Sequence, residues 1–109
     1  MRLEQRKCEP VQGERPPLTR REVLALLPEV PGWSLKDGRL FKSFTFRDFE
    51  EALRFVKELA LLAMEEGHFP DICIHEVRFV EVSWYTYVCG GLTENDFIMA
   101  AKLSREVPT

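Results

Sequence analysis

The hydrophobic residues of this chain fall into blocks of different period, and each block predicts an element. Val23, Leu24, Leu26 and Leu27 form a short helical face. Thr19-Arg20-Arg21-Glu22 ahead of them has the capping-box form, and Pro28 and Pro31 stop the helix. Trp33 to Leu35 and Arg39 to Phe46 are β-rich runs on either side of Asp37-Gly38, which predicts a hairpin. Leu40, Phe44 and Phe46 share one face of the second run, with Lys42 the exception. Thr45 is expected to cap a second helix, with Asp48 at the third position. There Phe49, Ala52, Leu53, Phe55, Val56, Leu59, Ala60, Leu62 and Ala63 cover more than half the circumference. A helix this apolar lies across a sheet, or between a sheet and a partner.

Gly67 ends that helix and Pro70 prevents its resumption, so Glu66 to Pro70 is a helix-to-strand corner. Ile72 and Ile74 alternate as a short strand. From Arg78 to Tyr87 a longer one carries Val80, Val82 and Trp84 on one face and Phe79, Tyr85 and Tyr87 on the other. Gly90-Gly91 breaks the chain, Thr93-Glu94-Asn95-Asp96 caps a third helix, and Phe97, Ile98, Ala100, Ala101 and Leu103 give it an apolar stripe. The order α-β-β-α-β-β-α has hairpins and no βαβ unit. It predicts an α+β fold, a four-stranded antiparallel sheet with helices packed on one face.

Residues 1–17 mix charge, Gly13 and three prolines with almost nothing apolar, and read as an extended N-terminal arm ahead of a single domain at 18–109. A length of 109 residues, 45% hydrophobic and 30% charged, suits one core. The net charge of −3 lacks the basic excess that holds nucleic acid or an anionic membrane. The longest apolar run, Leu59 to Met64, is too short to span a bilayer, and the first residues lack the apolar core of a secretory signal. The expectation is a soluble cytoplasmic protein. Cys8, Cys73 and Cys89 form no C-x-x-C pair and are odd in number, so no disulfide framework, metal site or cofactor is expected.

Only two histidines, His68 and His75, are available for acid–base work near neutral pH. His68 sits in the corner Gly67-His68-Phe69-Pro70, where it either caps the carbonyls of the preceding helix or acts on a ligand. Asp96 has a sufficient structural role in its capping box. His75 and Glu76 read as solvated, and Cys73 and Cys89 as small apolar fillers.

From Pro16-Pro17-Leu18-Thr19 to Arg105 the chain resembles the pterin-4a-carbinolamine dehydratase family. The resemblance is carried by Pro31-Gly32-Trp33, Phe44-x-Phe46, His68-x-Pro70-Asp71-Ile72 and Gly90-Gly91-Leu92-Thr93-x-x-Asp96. It implies a small α+β fold that dehydrates a hydroxylated tetrahydropterin, using two adjacent histidines before the proline and a third after the threonine of the long strand. Here only the first is kept, as His68; the others read Phe69 and Tyr87, while the aspartate is present as Asp96. The family's acidic residue four before the first histidine falls on Met64, with Glu65 adjacent, and one extra residue lies between Pro70 and Thr86.

The expected catalytic positions are therefore His68, Tyr87 and Asp96. The expected ligand-binding set is Gly67, His68, Phe69, Pro70, Trp84, Thr86 and Tyr87. Phenylalanine moves no proton and tyrosine is a weak base at neutral pH, so efficient dehydration is not expected. The run Gly91 to Leu103, with Trp84 before it, resembles the branch of these proteins linked to assembly of ribulose-bisphosphate carboxylase in plants and alpha-carboxysome bacteria. That resemblance favours an assembly factor, carboxysome-associated, with carboxylase subunits as partners; the alternative is an active 4a-hydroxytetrahydrobiopterin dehydratase. The apolar second helix and aromatic strand face imply a homodimer or tetramer.

Overall fold

The computed structural model describes residues 2–11 and 15–106; Gly13 and the expected domain end at 109 lie outside them. Helix α1 (Arg20–Leu26) starts on Thr19 with the reciprocal capping box to Glu22 formed. The Thr19 contacts hold the Glu22 carboxyl below its ordinary range. A 3-10 turn (Leu27–Glu29) carrying Pro28 ends the helix. Leu24, expected on the apolar face, is exposed; α1 buries only Val23.

Strands β1 (Ser34–Lys36) and β2 (Arg39–Thr45) meet at Asp37-Gly38, where both residues have positive φ, as a two-residue hairpin turn requires. Helix α2 (Phe49–Glu66) is capped by Asp48, whose side chain accepts from the Glu51 amide at 2.9 Å, and not by Thr45. Thr45 stays in the β2 ladder opposite Phe79, and a residue paired in a ladder cannot also start a helix. Gly67 takes the left-handed conformation that closes α2.

Strands β3 (Asp71–His75) and β4 (Phe79–Trp84) complete an antiparallel sheet of order β1-β2-β4-β3. β4 is shorter than expected: it ends at Trp84, and Thr86 makes only an isolated bridge to Gly91. The ladder from Asp71↔Ser83 to His75↔Phe79 is unbroken and closes on the loop of Glu76, Val77 and Arg78. There Arg78 N–H bonds back to the Glu76 carbonyl across Val77, which is held at φ 74°, a strained setting for a β-branched residue. His75 is not simply solvated. Its Nε2 lies 2.8 Å from the Glu81 carboxylate, and its ring stacks on Phe79. Cys73 is exposed and fills no gap in the core.

Leu40, Phe44, Val80, Val82 and Trp84 point to one side of the sheet and are fully buried under α2 and helix α3 (Glu94–Glu106). Lys42 shares that face. Its ammonium rides 5.0 Å over the Phe44 ring, and partial burial pushes its pKa down. Helix α3 carries no mere stripe: every residue from Asn95 to Leu103 is buried. The reason is the N-terminal segment, which docks on the body. It makes a 3-10 turn (Leu3–Gln5), inserts Leu3 into the core and lies along α3. No helix among the described residues is long and apolar enough to cross a membrane.

Candidate functional site

The corner after α2, the end of β4 and the start of α3 converge because each chain break is placed by a glycine: Gly67 closes the helix, and Gly90 at φ 72° reverses the chain after Thr86. The convergence brings together side chains that are 28 residues apart. His68 Nε2 lies 2.6 Å from Asp96 Oδ1. Asp96 is fully buried, and its second oxygen accepts from the Thr86 hydroxyl at 2.8 Å and the Thr93 amide at 2.9 Å. The Thr86 and Thr93 hydroxyls lie 2.9 Å apart, within hydrogen-bonding distance.

Asp96 therefore does both things the sequence allows: it caps α3 and it fixes an imidazole. Because a carboxylate only accepts, Nε2 is the donor, and Nδ1 is the ring atom left to exchange protons. The His68 ring lies nearly parallel to Trp84, 12° between planes and 5.9 Å between centroids. A buried carboxylate on one edge and an indole under one face hold the imidazole rigidly.

His68 stands in a cleft of about 460 Å³, a size within the range of small-molecule sites. Gly67, His68, Phe69, Thr86 and Tyr87 of the expected set line it. Pro70 and Trp84 do not. Pro70 lies beyond the wall, and Trp84 is fully buried as the support beneath His68, with its indole N–H lacking an acceptor among the described residues.

Phe69 and Tyr87 are 59% and 60% exposed, so the rings at the two positions where the resemblance expects imidazoles stand at the rim and leave the cleft open. The Tyr87 hydroxyl is engaged at the rim. Its hydroxyl donates to Asp71 Oδ2 and accepts from Arg39 Nη1 at 2.7 Å. Arg39 also lies over the Tyr85 and Tyr87 rings, and the Tyr87 bond raises its pKa above the ordinary arginine value.

Besides Tyr85 and Val88, the sequence reading missed three wall components. The carboxylate on the wall is Glu66, not Met64 or Glu65, both of which are exposed. Glu66 Oε1 accepts from the Cys8 amide at 3.0 Å, and Oε2 lies 3.8 Å from Lys102 Nζ. Asn95 is the second, and the segment Cys8 to Val11 the third. Burial and the Glu66 charge push the Cys8 thiol up to about 12, so it stays neutral near physiological pH. Only the position of Glu66, next to the helix-ending glycine, was a usable signal. Among the described residues no group of three or more His, Cys, Asp or Glu could hold a metal ion.

The sequence profile described as Pterin 4 alpha carbinolamine dehydratase matches residues 16–106 of this chain, beginning after the N-terminal segment. The chain belongs to this family. Among similar curated proteins, one from Cupriavidus pinatubonensis, named "Putative pterin-4-alpha-carbinolamine dehydratase 1", is 50% identical over 105 residues, 94% of this chain and 90% of its own. A relative from Aromatoleum aromaticum with the same name, without the numeral, is 46% identical over 98% of this chain and 96% of its own. Among solved structures, a transcriptional coactivator/pterin dehydratase from Brucella melitensis superposes with a TM-score of 0.74 at 34% identity. The match covers 82% of this chain and 96% of the Brucella chain. As a pterin dehydratase family member, this chain keeps the α+β architecture of that structure and one imidazole–carboxylate pair in its cleft.

Proposed function

We propose that the cleft takes a 4a-hydroxylated tetrahydropterin and dehydrates it slowly, with His68 as its one acid–base group. The observation that carries this is the His68–Asp96 pair standing in an open cleft. In the reaction the C4a–O bond breaks, the hydroxyl gains a proton and leaves as water, N5 loses its proton, and a C4a=N5 double bond forms. Two protons move, and one imidazole serves one transfer at a time. The other is left to solvent. His68 Nδ1 exchanges the proton while Asp96 holds Nε2, and the exposed Phe69 and Tyr87 rings offer stacking surface to a flat bicycle.

The test follows the decay of a freshly generated 4a-hydroxytetrahydropterin by absorbance, with natural protein and with His68→Ala. The natural protein is expected to accelerate decay above the uncatalysed rate, and the variant to lose that acceleration. No acceleration, or acceleration unchanged by His68→Ala, overturns the proposal.

A second function is supported by the loss of two imidazoles at Phe69 and Tyr87 and by the exposed Leu53, Leu61 and Met64 of α2. It is assembly of ribulose-bisphosphate carboxylase from its subunits, in the cytoplasm and in association with carboxysomes. Those α2 residues also support self-association as a dimer or tetramer. Co-expression with carboxylase subunits is expected to raise the yield of soluble holoenzyme, equally with His68→Ala. An unchanged yield removes this second function.

A further inference from the structure

One wall of the cleft, Cys8 to Val11, belongs to a segment whose backbone is held by side chains of the body, with Leu3 and the Arg6–Glu94 ion pair as further anchors. The Asn95 amide grips Glu9 from both sides, donating Nδ2–H to the Glu9 carbonyl at 2.6 Å and accepting its N–H on Oδ1 at 3.0 Å. Glu66 accepts from the Cys8 amide, and Lys102, itself buried, donates to the Glu4 carbonyl at 3.1 Å. Leu3 anchors the far end in the core. These clamping side chains sit on α2 and α3, and Asn95 is the immediate neighbour of the aspartate that fixes His68.

We infer that residues 3–11 are a strap forming the closing wall of the His68 cleft, and that Asn95 is the positioning residue that sets how tightly a bound ligand is retained. The identity of the occupant rests on the pterin proposal above; the strap's cover of His68 does not. Losing the Asn95 amide frees Glu9 and lets the wall swing away while leaving Asp96 and the imidazole in place. Affinity for a bound ligand then falls.

The experiment uses the whole chain, Asn95→Ala, and Leu3→Ala as a second variant at the opposite end of the strap, each checked by thermal melting. A 7,8-dihydropterin is the probe, followed by its fluorescence. Both variants are expected to bind it at least about 10-fold more weakly, through faster dissociation. In parallel, diethylpyrocarbonate acylation of His68, read by peptide mass spectrometry, is expected to run several-fold faster in both variants without any ligand. Folded variants with natural affinity and natural acylation rate overturn the strap. If the natural protein binds no dihydropterin, the pterin proposal fails, and the acylation rates alone confirm or overturn the strap.

Discussion

A chain carrying Phe69→His and Tyr87→His is expected to dehydrate a 4a-hydroxytetrahydropterin at least about 100-fold faster than the natural sequence, since each positioned acid–base group contributes on the order of 100-fold to 10,000-fold. The fold is ready for the change. Both side chains stand at the rim, an imidazole is smaller than either ring it replaces, and the His68–Asp96 pair is already built. Tyr87→His gives up the bonds to Asp71 and Arg39, but these are exposed surface contacts that add little to stability. The double variant should therefore melt near the natural temperature. A rate within a few-fold of natural, with the protein folded, means that the cleft is not a dehydratase site with two missing imidazoles.

The second large effect concerns stability. Asp96→Ala is expected to destabilise the chain by about 3–5 kcal/mol, because it leaves the His68 ring, the Thr86 hydroxyl and the Thr93 amide without their shared, fully buried acceptor. Each kilocalorie lowers the melting temperature of a domain this size by about 4–8 °C, so the transition falls by at least roughly 12 °C. Asp96→Asn keeps one acceptor and should lie between. Denaturant melts of the three proteins measure this directly. A loss below about 1 kcal/mol for Asp96→Ala means the carboxylate is not the keystone of the corner.

The elements that short-range patterns specify were legible in the sequence. Val80, Val82 and Trp84 alternate because a strand has period two, and they lie in the core as that alternation requires. Asp37-Gly38 makes its turn from two adjacent residues that tolerate positive φ. His68, Asp96 and Thr86 were legible as a group through the family pattern. What was not legible depends on partners far away in the chain. Asn95 and Lys102 look like the polar face of an amphipathic helix, and only a segment more than 85 positions earlier buries them. The Tyr87 hydroxyl looked free for a ligand because nothing near it in sequence claims it, whereas Asp71 and Arg39 reach it across the sheet. The cap of α2 was misplaced for a local reason: Thr45 and Asp48 both carry suitable oxygens, and the sheet register decides between them.

The pairing of Glu4 with Lys102 and of Glu9 with Asn95 imposes an order on synthesis. The segment from Leu3 to Glu9 leaves the ribosome more than 85 residues ahead of the α3 side chains that hold it. Sheet, hairpins and α2 emerge while the segment still lacks the Asn95 and Lys102 half of its docking surface. The cleft acquires its last wall only after α3 has emerged and packed, so a nascent chain stalled before Asn95 has no complete site. The longest-range contacts, the slowest to close, are thus the ones that complete the pocket.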